Sequence, residues 1–172
     1  MESTAASSTW GVPVDIRSDL RPGDIGDIVR MHGEVYAREY GLDASFEASV
    51  AETLGKLIRR GWPGEGEGIW VAESDGERVG AVILSNEGDG LSRLRMFVLR
   101  PEHRGAGVGR RLFDELLASA RAAGHQRMEL DTFSELRAAA HLYRDAGFRR
   151  VSARRQLMWG REIEFERYEL EL

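Results

Sequence analysis

The chain has 172 residues, 42% of them hydrophobic and 31% charged, with a formal net charge of −5 and no cysteine. That suits one domain with its own core. The negative balance argues against a nucleic-acid-coating surface, and no apolar run reaches the roughly 18 residues of a membrane span. Without cysteine there is no disulfide, thiolate metal site or cysteine nucleophile, which fits a cytoplasmic protein.

Residues 1–11 are rich in Ser, Thr and Ala, with neither a basic start nor an apolar stretch. They read as a disordered tail and not as a secretory signal, leaving 12–172 as a single domain. Lys56 is the only lysine, so a phosphate loop of the Gly-Lys-Ser/Thr type is excluded. The four histidines lack metal-ligand spacing, and no metal is expected.

Val14 to Asp19 alternates as a short strand. Arg21 to Asp24 turns the chain into a helix whose apolar positions run from Ile25 to Tyr36 and which ends near Gly41. A second helix is predicted from about Ser45 to Arg60. Ile69–Ser74 and Val79–Ser85 read as a hairpin joined by Asp75-Gly76-Glu77. Asn86 to Gly90 turns into a third strand, Leu91–Leu99. A helix follows and ends at Gly124. Met128–Thr132 is a strand, and Ser134 is placed to cap a helix that stops at Gly147. Phe148–Met158 and Glu162–Leu172 are the last strands. In the final strand Ile163 and Phe165 share one parity while Tyr168, Leu170 and Leu172 share the other, which predicts a bulge near Glu166–Arg167. The order β-α-α-β-β-β-α-β-α-β-β suits an α/β (α+β) domain: a mixed sheet of about seven strands with helices on both faces.

Between the strand ending at Leu99 and its following helix lies Arg104-Gly105-Ala106-Gly107-Val108-Gly109-Arg110. Alternate glycines remove side chains where an outside group approaches the backbone. Free N–H groups at a helix start suit phosphate, and Arg104 and Arg110 are placed to add charge-assisted bonds. A dinucleotide-binding reading has Glu129 and Asp131 about 20 residues on. The spacing Gly-x-Gly-x-Gly, the intervening Arg100–His103 and the three preceding strands oppose it.

The run Leu94–Leu112 resembles the acetyl-CoA motif of the GNAT superfamily of N-acetyltransferases, Arg/Gln-x-x-Gly-x-Gly/Ala. Ala139–Phe148 resembles that family's second signature, ending Leu-Tyr-x-x-x-Gly-Phe. Arg30–Gly41 further resembles the acetyltransferase half of bacterial MarR-type regulator/acetyltransferase fusions. The resemblance implies a splayed gap between strands 4 and 5 and acetyl transfer from acetyl-CoA to a primary amine in a ternary complex. It implies a coenzyme site at Phe97, Val98, Leu99, Arg104, Gly105, Ala106, Gly107, Val108, Gly109 and Arg110. The pantetheine arm would pair with Phe97 and Leu99, and an N–H near Val98 would face the thioester oxygen. Tyr143 matches the family's general acid; the alternative is a core-packing tyrosine. Asp131, or Glu129 of the same parity, is a candidate base; the alternative is a cap or surface charge. Leu136 stands where many relatives carry an asparagine.

His32, Tyr36 and Tyr40 share a helix face, which either walls an acceptor pocket or packs on the sheet. Arg95, counted with the parity of Phe97, either clamps a substrate carboxylate or forms a surface ion pair. Trp159 either covers the pocket or stabilises its turn. A non-catalytic acyl-CoA or amine sensor remains the other functional reading. A homodimer through the Glu162–Leu172 strand is the expected assembly.

Overall fold

The computed structural model describes residues 12–172; the expectation for residues 1–11 lies outside them. Two hydrophobic layers lie on opposite faces of one seven-stranded sheet. The elements are β1 (Asp15–Arg17), α1 (Asp24–Tyr40), α2 (Ala44–Arg59), β2 (Gly68–Ser74), β3 (Glu77–Gly88) and β4 (Leu91–Leu99), followed by a single 3₁₀ turn. After it come α3 (Val108–Ala122), β5 (Arg127–Phe133), α4 (Arg137–Asp145), β6 (Arg149–Met158) and β7 (Arg161–Glu171). The strand order is β1-β2-β3-β4-β5-β7-β6. Only β4 and β5 are parallel.

Three tight turns set the hairpin registers. Asp75-Gly76, Asp89-Gly90 and Trp159-Gly160 all have positive φ, between the pairs Ser74↔Glu77, Gly88↔Leu91 and Met158↔Arg161. Positive φ at both central residues matches the right-handed twist of the flanking strands. The second turn is thus two residues long, and β3 runs on through Asn86 to Gly88 where the sequence suggests a longer loop.

α1 and α2 bury Ile28, Met31, Val35, Phe46, Val50 and Leu54 against one face. α3 and α4 bury Leu112, Phe113, Leu116 and Tyr143 against the other. Asp43 caps α2 by accepting the Ser45 N–H at 2.9 Å. α4 starts after Leu136 without a side-chain cap, so Ser134 does not cap it; the Ser134 N–H donates to the Glu164 carbonyl at 3.0 Å.

The change of parity in β7 is no bulge in that strand. Residues 165–171 pair with β5 in unbroken register. Ile163 and Phe165 pack toward α1 and α2, while Tyr168 and Leu170 pack toward α3 and α4. Both faces of β7 are covered, each over a different stretch. The register shift lies in β6, between Arg150 and Ser152. β7 also lies between β5 and β6, so both its edges are paired and it cannot extend the sheet into a second copy. The outer strands are β1 and β6, and β6 carries Arg149, Arg150, Arg154 and Arg155, the charged pattern that discourages edge pairing.

Candidate active site

β4 and β5 pair only over Leu91–Arg93 and Arg127–Glu129. Beyond that β5 follows β7 along its whole length, β4 stays with β3, and the two part. The opening is the mouth of a cavity of about 640 Å³. Its walls include Tyr36, Tyr40, Arg95, Phe97, Val98, Leu99, Arg104, Gly105, Gly107, Gly109, Arg110, Asp131 and Tyr143. Ala106 and Val108 complete the phosphate loop without lining the cavity, and Val108 is buried in the α3 core.

A bulge in β4 decides which side chains face which layer. Arg95 pairs with Ile83 and Val98 with Ala81, so Met96 and Phe97 together oppose Val82. Met96 takes the extra turn at φ 52°. Phe97 therefore packs on Phe113, with rings 6.4 Å apart and nearly parallel, while Arg95 turns to the α1/α2 face. Arg95 and Phe97 do not share a face, because a bulge resets the two-residue alternation. No proline or glycine marks it in the sequence.

The same strand presents its backbone to the gap. The Arg100 N–H donates to the Val79 carbonyl at 2.8 Å, which turns residue 100, and by alternation residue 98, toward β3. Phe97 and Leu99 face the other way. Their carbonyls accept from the Tyr36 hydroxyl at 3.5 Å and from the Arg104 guanidinium at 3.1–3.2 Å. The carbonyls of Phe97 and Leu99 thus face the cleft.

The phosphate loop enters α3 through Gly107, at φ 79° and with no side-chain cap; Gly105 has the same φ. The first-turn N–H groups of a helix have no partners within it, so this end suits an anion. A Cβ built at Gly105 or Gly107 meets no heavy atom within 4 Å. What these positions demand is the left-handed backbone and an open approach. The two flanking arginines are engaged by acids. Arg104 forks onto Glu39 at 2.6 and 2.9 Å, and Arg110 reaches Asp145 at 3.1 Å.

Tyr143 comes from α4 and is buried between Phe113, Phe148 and Tyr168. It also lines the cavity, so the packing and cavity readings are both met. Burial raises its hydroxyl above the ordinary tyrosine range. Asp131 sits on β5 with Arg93 and Arg167. Arg93 Nη1 is 2.7 Å from Oδ2, and Arg167 Nε is 2.8 Å from Oδ1. Burial works to raise its pKa, but the two guanidiniums outweigh that and hold it below the usual carboxylate value. Glu129 is paired with Arg93 at 2.8 Å.

The α1/α2 side of the cavity is walled by rings. His32 stacks on Tyr36 at 5.5 Å, Tyr36 on Phe46 at 4.8 Å, and Phe46 meets Trp159 edge-on at 4.9 Å. Trp159 is fixed from two sides: its Nε1 donates to the Ser49 hydroxyl at 3.1 Å, and its carbonyl accepts the Asp43 N–H at 3.1 Å. The β6–β7 hairpin tip thereby reaches over the pocket. Arg95 Nε donates to the Ser85 hydroxyl at 2.9 Å and Nη2 to Glu87 at 3.0 Å. Sequence reasoning missed Phe46, Phe133 and Phe165 as wall residues and Glu39 as the partner of Arg104. No local signal could have found the last, since the two residues are 65 positions apart.

Comparison with known proteins agrees with this fold. The profile of the acetyltransferase (GNAT) family matches residues 34–148. The chain belongs to that family. It is 30% identical over 137 residues to an uncharacterized N-acetyltransferase of Schizosaccharomyces pombe, covering 79% of this chain and 83% of the relative. It is 32% identical over 128 residues to the uncharacterized N-acetyltransferase YjgM of Escherichia coli, covering 72% and 75%. Among solved structures, yncA of Salmonella typhimurium, a putative acetyltransferase with its cofactor acetyl-CoA, superposes with a TM-score of 0.71 at 21% identity, covering 92% of this chain and 94% of that one. The ribosomal-protein-alanine N-acetyltransferase of Brucella melitensis superposes with a TM-score of 0.70 at 20% identity, covering 91% and 99%. The protein is an N-acetyltransferase. Among the described residues no helix is long and apolar enough to cross a membrane.

Proposed function

We propose that the enzyme transfers acetyl from acetyl-CoA to a primary amine by direct attack with both substrates bound. The observation that carries this is one cavity shared by the uncapped start of α3, the gap-facing edge of β4 and Tyr143. An acetyl-CoA complex of the similarly folded Salmonella protein supports it. The residues fit the coenzyme: the left-handed loop at Gly105 and Gly107 opens on space, and Phe97 and Leu99 lie on a stretch of β4 with no strand beside it on the gap side, their carbonyls held only by the side chains of Tyr36 and Arg104. Gly105 to Arg110 would hold the diphosphate and Phe97 with Leu99 the pantetheine arm.

Acetyl-CoA supplies the activated acyl group. A backbone N–H near Val98 would stabilise charge developing on the acyl oxygen, and one such donor is worth about 10²–10³ in rate. Tyr143, kept neutral by burial, gives its proton to the departing thiolate. Asp131 stays ionised and takes up the amine's proton directly or through water. With no cysteine in the chain, an acetyl-cysteine relay is excluded.

The acceptor is selected on the α1/α2 side. Tyr36 and Tyr40 offer apolar wall, and the outer edge of Arg95 offers a site for an acceptor carboxylate. Helix α1 is also where the resemblance to MarR-type fusions rests, and we keep that closer kinship as a proposal carried by residues 30–41 alone. The test is thiol release from acetyl-CoA across a panel of primary amines. Release matched by amide formation is expected; coenzyme binding without turnover on any amine would overturn the reading.

A further inference from the structure

Every nitrogen of the Arg104 guanidinium is engaged. Nη1 and Nη2 fork onto the Glu39 carboxylate at 2.6 and 2.9 Å, while Nε and Nη2 donate to the Leu99 carbonyl at 3.2 and 3.1 Å. Glu39 is also the first cause of the raised Arg104 pKa. Glu39 and Arg104 both line the cavity, one from α1 and one from the loop before α3. A carboxylate and a phosphate present similar oxygens to the same planar fork. They cannot both hold it.

We propose that Glu39 is a built-in stand-in for the coenzyme diphosphate, a positioning residue that competes for Arg104 and sets coenzyme affinity. This rests on the acetyl-CoA reading of the cavity. In the free protein Glu39 holds Arg104 across the edge of β4 at Leu99, where the pantetheine arm would pair. Coenzyme binding exchanges the carboxylate for phosphate oxygens and frees the Leu99 carbonyl. The exchange does not cost the docking of α1. Arg100 and Glu34 join the same two segments at 3.0 Å, and the Tyr36 hydroxyl reaches the Phe97 carbonyl.

The test is calorimetric titration of coenzyme A into the whole protein at fixed salt. Glu39→Gln is expected to bind about two- to fivefold tighter than wild type, the range of a partly exposed ion pair, and Glu39→Asp to stay near wild type. A merely structural role for Glu39 would weaken binding, not tighten it. In an Arg104→Gln background the Glu39→Gln change should have no effect, since the cycle isolates the pair. Unchanged or weaker binding by Glu39→Gln, or the same gain without Arg104, overturns the proposal. Failure of wild type to bind coenzyme A at all instead removes the acetyl-CoA reading, and the proposal with it.

Discussion

Arg93 of β4 and Asp131 of β5 are joined at the point where their strands part, Nη1 to Oδ2 at 2.7 Å. Arg93 also holds Glu129 at 2.8 Å, and Arg167 of β7 closes the other side of Asp131. The last paired residues of the two strands are thus fastened by charge where main-chain pairing stops. The Arg93 Nε, buried without a partner, is a cost of seating a guanidinium in that fork.

Asp131→Asn is expected to lower kcat/KM for the amine about tenfold or more, the scale of a lost base, with coenzyme affinity near wild type. Because the arginines depress its pKa, the carboxylate is ionised at every pH above its ordinary value, about 4. The acid limb of the rate profile between pH 5 and 7 should therefore not come from Asp131. Initial rates of both proteins over pH 5–9 check this; equal rates remove Asp131 from catalysis.

Tyr143→Phe removes one oxygen from a tightly packed ring. Turnover should fall about 10²-fold while coenzyme affinity holds, as for loss of a general acid. Burial raises the Tyr143 pKa, so the proton stays available in alkaline solution. No alkaline loss of rate from this group is expected below about pH 10. Single-turnover rates at several pH values separate this step from product release.

Gly107→Ala places a side chain at φ 79°, where an L-residue costs about 1–2 kcal/mol, beside the N–H groups that would receive the diphosphate. Coenzyme binding should weaken because the added methyl stands in the open approach to those N–H groups. The melting temperature should drop by a few degrees at most, about what that strain predicts. Parallel titration and thermal unfolding measure both. Affinity equal to wild type would place the anion elsewhere.

His32 sits buried under Tyr36, and desolvation pushes its pKa down to about 4 although its Nδ1 is bonded to the Ile28 carbonyl. Its folded pKa lies below the unfolded one, so the unfolded chain binds the extra proton first. Stability is complete above pH 6.5 and falls between pH 6.5 and 4, by about 1.4 kcal/mol per unit from this group. Urea midpoints at pH 7 and pH 5 should show the loss, and His32→Phe should flatten it. An unchanged slope in the variant would assign the loss to other groups.

The element order was legible because it rests on local chemistry: amphipathic spacing, Asp-Gly turns and glycine stops act within a few residues. That the glycine run enters a helix and that Tyr143 lies on α4 were legible for the same reason, since each lies in a short run whose residue types restrict its conformation. Arg95 was misassigned because a single left-handed methionine reset the strand parity, and nothing adjacent in the chain announces that. The last strand was misread as irregular because two faces of one strand are buried under different helices.

What the sequence alone determined was therefore the sum of short-range constraints, and those named the family and the glycine-rich entry to α3. Tertiary structure decided the rest. Which side chains share the cavity, that Glu39 holds Arg104, that Arg93 and Arg167 grip Asp131, and that β7 is interior all depend on residues between about 36 and 65 positions apart, or on strand order. Such pairings are fixed by the packing of whole layers, and no window of neighbouring residues carries that information.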